Sequence, residues 1–134
     1  MKIRSGIDMV YIPRIAKYSD EEGSAFISKC FTPNEIDYCS KLSPKLRAES
    51  YAARFAAKEA AAKALGTGIC TGGIGFLSFE VTKDTNGAPV IKFNDAALER
   101  AKKIGVLSAS ISLTHEKNYA CAVCSLITNE EDSI

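Results

Sequence analysis

The chain has 134 residues, 46% of them hydrophobic, and its 17 basic and 16 acidic residues leave a formal net charge of +1. A chain of this length forms a single domain with a hydrophobic core, and its balanced charge argues against a protein that coats nucleic acid. No apolar run approaches the roughly 18 residues of a membrane span, and Asp8 interrupts the N-terminal apolar stretch before it could act as a signal peptide. We therefore expect a cytoplasmic protein that binds neither membranes nor nucleic acid, with one domain over residues 1–127 and a frayed polar tail over residues 128–134.

The first part of the chain predicts a strand followed by a helical region. Residues 2–10 indicate a strand with Ile3, Ile7 and Val10 as apolar anchors, in which the charged Asp8 stands out. Pro13 can open the helical region, because proline suits the first helical position, and the region continues with interruptions to Cys30.

Two helix starts follow. Thr32-Pro33-Asn34-Glu35 has the sequence of a capping box with proline at the first helical position, and it predicts a short helix to about Lys41. Ser43-Pro44 repeats the pattern and begins a long alanine-rich helix. That helix should end at Leu65, because Gly66 suits the left-handed conformation that closes many helices.

The second half of the chain predicts two antiparallel strand pairs separated by a helix from Asn94 to Ile104, which Gly105 ends. The first pair is joined by an Asn-Gly turn, a strong hairpin signal. The four strands are expected at residues 76–82, 89–93, 107–114 and 119–127. The fold class is therefore α+β, an antiparallel sheet packed against a long alanine-rich helix and shorter helices.

Five cysteines without a secretory signal predict reduced thiols. Cys121 and Cys124 form a C-x-x-C pair inside an apolar strand, where positions i and i+3 point to opposite faces. We therefore predict packing residues and neither a redox nor a zinc site.

The long helix carries four charged residues in an otherwise alanine-rich stretch. Glu59 and Lys63 lie about 40° apart on a helical wheel, and Arg54 and Lys58 form a second charged patch. From the residues alone, Glu59 and Lys63 are either an ordinary surface pair, worth roughly 0.3 to 0.5 kcal/mol, or functional groups.

The segment Phe55-x-x-Lys58-Glu59-Ala60-x-x-Lys63 resembles the aromatic-x-x-Lys-Glu-(Ala/Ser)-x-x-Lys signature of the 4'-phosphopantetheinyl transferases. Three further segments agree in order and spacing with the short bacterial type of this family, the holo-acyl-carrier-protein synthases. They are residues 6–15, the Phe-Thr-x-x-Glu segment at 31–35, and the serine-rich strand that leads to His115. The resemblance implies the phosphopantetheinyl transferase fold.

The resemblance also implies an activity. Such enzymes transfer 4'-phosphopantetheine from coenzyme A to a serine of an apo acyl carrier protein in fatty acid biosynthesis, with Mg²⁺, and release adenosine 3',5'-bisphosphate. The family's magnesium ligands fall on Asp8 and Glu59, although an aspartate early in a strand is commonly solvent-facing or paired with a basic residue. A metal-bound water and Glu59 both remain candidates for the proton acceptor.

Basic residues are expected to hold the phosphates of coenzyme A. Lys63 would neutralise charge that develops on the reacting phosphate, and the remaining phosphates would fall to Lys58, Arg54, Lys45 and His115. A lone histidine at a strand end is also commonly structural. Because Leu113-Thr114 is an insertion relative to a plain Ser-x-Ser-His pattern, either His115 or Ser112 could meet the ligand.

The resemblance implies an acidic acyl carrier protein as partner, so a basic helix face should receive it. Arg14 and Lys17 begin such a face, but the acidic Asp20-Glu21-Glu22 run departs from the family pattern. Docking could shift toward Lys29, Lys41 or a neighbouring subunit. The short family members are homotrimers with sites in the clefts between subunits.

The role of the glycine-rich segment and two alternative functions of the protein stay open. The glycine-rich residues 66–75 lack the spacing of a phosphate-binding loop, and they form either a flexible connection or a loop that lines the coenzyme site. The same charged residues would also suit a magnesium-dependent phosphohydrolase that acts on a nucleotide or coenzyme. A non-enzymatic, trimeric nucleotide-binding module is the third possibility.

Overall fold

The computed structural model describes residues 1–21 and 23–131. These residues form five helices and five strands, and a short 3-10 turn at Phe76–Ser78 precedes the second strand. The elements are β1 (Lys2–Tyr11), α1 (Ile12–Ser19), α2 (Ala25–Cys30), α3 (Pro33–Ser40), α4 (Pro44–Ala64), β2 (Phe79–Lys83), β3 (Pro89–Phe93), α5 (Asp95–Ile104), β4 (Val106–Glu116) and β5 (Tyr119–Thr128). The predicted α+β class is confirmed.

The main sheet has three antiparallel strands in the order β1-β5-β4, and β2 and β3 form a separate hairpin. Helix α4 packs on one face of the main sheet, which the even-numbered residues of β5 cover with buried side chains. Cys124 belongs to this buried set, whereas Cys121 has the opposite parity and faces the other side. None of the described helices has the length and apolar character needed to cross a membrane.

Helix α4 approaches β1 unusually closely. A Cβ atom at Gly6 would overlap the carbonyl oxygen of Ala60, so the strand can meet the helix backbone only where the side chain is absent. The helix ends as predicted, because Gly66 adopts φ +81° and its N–H donates to the carbonyl of Lys63 at 2.9 Å. The close approach of Gly6 to Ala60 holds β1 against the second half of α4.

The other face of the main sheet is open and apolar. The odd-numbered residues of β1 point to it, and Ile3, Ile7 and Met9 are 73%, 61% and 63% exposed. Tyr119 and Ile127 of β5 also expose much of their surface on this face. Contiguous apolar surface of this kind marks an interaction surface.

Two sequence expectations are wrong. The segment predicted as a strand from residue 76 begins with a 3-10 turn, because the N–H of Gly75 donates to the Ser78 hydroxyl, and the strand starts at Phe79. The polar tail was placed from residue 128, but Thr128 is a buried residue of β5 and Glu130 binds Arg4 at 2.9 Å. Residues 132–134 of that tail lie outside the described residues.

Candidate active site

One cluster of charged residues forms where β1 meets α4. Asp8 has the same parity in β1 as Gly6, so its carboxylate points toward the helix. The ammonium of Lys63 lies 3.2 Å from Asp8 Oδ1 and donates to the carbonyl oxygen of Ile7 at 2.9 Å. Lys63 therefore pairs across the fold with Asp8, and the interpretation of Lys63 and Glu59 as a simple surface pair does not hold.

Glu59 shares this cluster. Burial raises the pKa of Glu59, the negative charge of Asp8 raises it further, and the positive charges of Lys63 and Arg14 lower it. Each carboxylate disfavours the charged form of the other, and a cation bound between them would relieve this repulsion. The sequence had singled out Asp8, Glu59 and Lys63, and the structure brings all three together.

The cluster has the donor chemistry for Mg²⁺, which prefers oxygen ligands and is commonly held by one or two carboxylates with substrate phosphates and water. Within the part of the chain that the structure describes, no three His, Cys, Asp or Glu side chains group into a ready-made metal cage. A cation on Asp8 and Glu59 would therefore need oxygens from a substrate and from water to complete its coordination.

A second cluster surrounds Arg54 in a cleft of about 300 Å³. Arg54 is 5% exposed, its guanidinium lies 4.7 Å from the centre of the Tyr38 ring, and it donates to the Ser50 hydroxyl. Its Nε has no hydrogen-bond partner among the described residues. Lys83 reaches the same ring from β2 and donates to the Tyr38 hydroxyl at 2.6 Å. The cleft thus joins two cations around one aromatic ring.

His115 lines the same cleft. Its Nε2 lies 3.2 Å from Glu49 Oε2 of α4, and its side chain is 53% exposed. Ile111 and His115 have the same parity in β4, whereas Ser112 points to the opposite face of the sheet. The structure therefore places His115 in the same cleft as Arg54, and Ser112 is turned away from it.

Lys58 requires a correction. Its side chain is 0% exposed, and its Nζ lies 2.6 Å from Glu35 Oε1 and 2.7 Å from the carbonyl oxygen of Cys30. Burial lowers the pKa of Lys58, and the negative charge of Glu35 opposes that shift. Because Glu35 and the end of α2 enclose Lys58, it cannot reach a phosphate that arrives from solvent, and the expectation that it binds coenzyme A is withdrawn.

The remaining expected residues are exposed at the surface. Lys45 is exposed on the first turn of α4 and lines a separate groove with Pro13 and Lys117. Arg14 and Lys17 are exposed on α1. The sequence analysis missed the cleft residues Tyr38, Lys83 and Glu49, because each belongs to an element that meets Arg54 only in the tertiary structure.

The two clusters occupy opposite edges of the main sheet. Asp8 lies on the edge strand β1, and His115 lies on the other edge strand, β4, with β5 between them. Neighbouring strands are about 4.8 Å apart, so the two edge strands are separated by about 10 Å, and α4 covers the intervening face. A single chain thus presents two separate charged clusters. We call Asp8, Glu59 and Lys63 the acidic half-site, and the cleft with Arg54, Lys83 and His115 the basic half-site.

Residues 4–124 match the sequence model of a family described as the 4'-phosphopantetheinyl transferase superfamily. The chain belongs to this superfamily. The matched residues contain both half-sites, including Asp8, Glu59, Lys63 and Arg54, so the family assignment and the clusters concern the same part of the molecule.

Relatives of this transferase are similar over nearly the whole chain. A holo-[acyl-carrier-protein] synthase of Koribacter versatilis is 42% identical over 122 residues, which are 91% of this chain and 95% of that protein. The Helicobacter pylori holo-[acyl-carrier-protein] synthase in complex with coenzyme A has 32% identity and a TM-score of 0.77, covering 92% of this chain and 99% of that chain. The Bacillus anthracis holo-(acyl-carrier-protein) synthase in complex with CoA (3',5'-ADP) has 32% identity and a TM-score of 0.75, covering 92% and 94%. These neighbours confirm the predicted fold of the transferase.

Proposed function

We propose that this transferase moves the 4'-phosphopantetheine group from coenzyme A to a serine of an apo acyl carrier protein, requires Mg²⁺, and releases adenosine 3',5'-bisphosphate. The observation that carries the proposal is the meeting of Asp8, Glu59 and Lys63 at one edge of the sheet, within the family signature. The names of the similar proteins, two of which have coenzyme A in their structures, support the choice of donor and acceptor.

Asp8 and Glu59 would hold the Mg²⁺ ion. When bound there, Mg²⁺ neutralises charge on the pyrophosphate of coenzyme A. The two carboxylates suit this role because one comes from a strand and the other from a helix, and both elements are fixed by the close contact at Gly6. Arg14 and Lys63 keep the site from becoming too negative for a substrate that carries several negative charges itself.

The reaction is a phosphoryl transfer, in which positioning and electrostatic stabilisation supply most of the catalysis. The serine oxygen of the carrier attacks the phosphorus bonded to the pantetheine arm, and the bond from that phosphorus to the leaving nucleotide oxygen breaks. Lys63 donates hydrogen bonds where negative charge builds on the phosphate. The serine proton goes either to Glu59 or to a water beside it.

The basic half-site is suited to the nucleotide end of coenzyme A. Arg54 and Lys83 present two cations around Tyr38, and His115 lies at the mouth of the same cleft. We assign this cleft to the phosphates that do not react.

The two half-sites would be joined by assembly into a homotrimer. In one chain they lie at opposite edges of the sheet, so the β1 edge of one subunit would face the β4 edge of the next. A head-to-tail interface of this kind closes into a ring when the rotation allows. The exposed apolar face of the sheet, which includes Ile7 and Met9, supplies a surface that three copies can bury together.

The acyl carrier protein would dock on α1. Arg14 is exposed and close enough to Glu59 to affect its pKa, so a partner on α1 lies beside the acidic half-site. Lys41 is a weaker candidate because it pairs with Asp37 at 3.1 Å, and Asp20 of the acidic run pairs with Arg47 at 3.2 Å.

The five free cysteines agree with a reaction in the reducing cytoplasm.

Intact-mass spectrometry of a carrier protein tests the proposal. The transferase is incubated with coenzyme A, Mg²⁺ and apo carrier, and with each component omitted in turn. The carrier should gain the mass of one phosphopantetheine group, and adenosine 3',5'-bisphosphate should appear in equal amount. Consumption of coenzyme A without carrier would indicate a phosphohydrolase instead, and binding of coenzyme A without any product would indicate a nucleotide-binding module.

A further inference from the structure

A buried ion pair lies at the centre of the molecule, one residue away from the acidic half-site. Glu35 Oε1 accepts hydrogen bonds from Lys58 Nζ at 2.6 Å and from the N–H of Thr32 at 2.9 Å, and Glu35 Oε2 accepts one from the N–H of Val81 at 3.0 Å. Lys58 donates in addition to the carbonyl of Cys30 at 2.7 Å. One pair of side chains therefore connects α4 with the end of α2, the start of α3 and strand β2.

Most of the other buried residues of α4 are alanines, the larger ones being Tyr51 and Arg54, and the half-buried Phe55 stacks against Phe26 and Phe76. Short side chains let the helix approach its neighbours closely, but they provide shallow ridges and grooves, so they define the rotation and axial position of the helix weakly. Buried polar side chains fix such registers in helical assemblies, at a cost in stability. The buried alanines of α4 are Ala48, Ala52, Ala53, Ala56, Ala57, Ala60, Ala61, Ala62 and Ala64.

Rotation of α4 about its axis changes the position of Glu59, the residue that follows Lys58. The Glu59 carboxylate lies about 6 Å from the helix axis, so a rotation of about 10° displaces it by about 1 Å relative to Asp8. A misplacement of about 1 Å can reduce a catalytic rate by about 10². Lys58 precedes Glu59 directly, so the ion pair acts at the point along α4 where the setting of the helix matters most for the carboxylate pair.

We propose that Lys58 and Glu35 are positioning residues, whose buried ion pair sets the rotation of α4 and with it the separation of the Glu59 and Asp8 carboxylates. The kinetic part of this inference rests on the proposed transferase function. Lys58 and Glu35 touch neither substrate nor metal, and they act only through the placement of Glu59. Lys58, the first lysine of the family signature, thus has a different role from Glu59 and Lys63.

The test removes both charges together, because removal of one alone would leave the other buried and uncompensated. The double variant Lys58→Met with Glu35→Gln is compared with the wild type by circular dichroism, by calorimetric binding of Mn²⁺ as a substitute for Mg²⁺ in the presence of coenzyme A and without carrier, and by steady-state kinetics. We expect a folded protein with kcat lower by about 10² and a Mn²⁺ dissociation constant higher by about tenfold. The Michaelis constant for the carrier should stay unchanged, because the carrier would dock on α1.

A matched control separates positioning from a general loss of stability. Ile104→Val removes one buried methylene from α5, away from both half-sites, and it should lower the melting temperature while leaving kcat and Mn²⁺ affinity at their wild-type values. If the double variant does not fold, Glu35→Asp takes its place, since it keeps the charge and shortens the side chain, and the same losses are expected.

A folded variant with wild-type kcat and wild-type Mn²⁺ affinity would overturn the proposal. Failure of the wild type to modify a carrier would instead overturn the proposed function, and the Mn²⁺ comparison would still decide whether the ion pair positions Glu59. Loss of kcat with unchanged Mn²⁺ affinity would also contradict the inference, because the carboxylate pair would then be in place.

Discussion

The ammonium of Lys63 lies 3.2 Å from the carboxylate of Asp8, a residue 55 positions earlier in the chain. Asp8 is 16% exposed and Lys63 is 50% exposed, so the pair lies at the surface of the acidic half-site with the lysine on its solvent side. A cation that binds Asp8 must share the carboxylate with Lys63 or displace it. Lys63 is thereby placed beside any phosphate that such a cation holds.

The Lys63→Ala variant should lose roughly 10² to 10³ in turnover, the scale observed when one preorganised donor to a transition state is removed. Its free energy of unfolding should change by less than about 1 kcal/mol, because the pair is partly exposed. Steady-state kinetics and thermal melts measure the two effects. Lys63→Arg should recover part of the rate, and the exposed Lys102→Ala on α5 is the control. A wild-type rate in Lys63→Ala would remove Lys63 from the catalytic residues.

Chelation should abolish activity, and added Mg²⁺ should restore it, because the pyrophosphate charge needs a cation that Asp8 and Glu59 can hold. The variants Asp8→Ala and Glu59→Ala should each lose turnover while remaining folded, as judged by circular dichroism. Full turnover in the presence of the chelator, or near-native turnover in either variant, would show that the metal assignment is wrong.

The Gly6→Ala variant should separate β1 from α4, because the new Cβ would overlap the Ala60 carbonyl oxygen. We expect a loss of about 1 to 3 kcal/mol in the free energy of unfolding and a lower turnover, since Asp8 moves with the strand. Gly75→Ala is the matched control, because that position has φ −123° and no atom within 4 Å of the added Cβ. Equal stability of the two variants in denaturant titrations would contradict the close-contact argument.

Charge reversal at Arg14 should weaken carrier binding. Exposed basic contacts to an acidic partner are screened over about 10 Å at 0.1 M salt, so the Michaelis constant for the carrier should rise with salt, while that for coenzyme A rises less. Arg14→Glu should raise the constant for the carrier by about tenfold at low salt, with Lys103→Glu on α5 as the control. An unchanged constant would move the docking surface away from α1.

Acid stability should depend on the Arg4–Glu130 pair. The hydrogen bond from Arg4 lowers the pKa of Glu130 from 4.5 to about 2. The pair therefore stabilises the fold above pH 4.5, and its contribution is lost as pH falls from 4.5 through about 2. The Glu130→Gln variant should be less stable than the wild type at neutral pH and should lose less stability over this acid range, as measured by denaturant titrations at several pH values. Parallel pH profiles for the two proteins would refute this.

The amino-acid sequence was sufficient to predict most secondary-structure boundaries. The capping box before α3, Pro44 at the start of α4 and Gly66 after its end are local signals, because each acts through the backbone of its own segment. The family resemblance also singled out Asp8, Glu59 and Lys63, which the structure brings together. A strand starting at Phe76 was wrong, because the serine hydroxyl that makes the turn is a side-chain effect that strand propensity ignores.

Only the tertiary structure decided which charged residues of α4 face solvent. Lys58 and Lys63 are both lysines of the same helix, yet Lys58 is enclosed by Glu35 and the end of α2, whereas Lys63 meets Asp8 at the surface. The sequence could not separate them, because burial depends on elements packed around the helix from distant parts of the chain. The sheet order likewise places Asp8 and His115 at opposite edges. Strand pairing decides which side chains can share a site, and the position of a residue in the sequence does not.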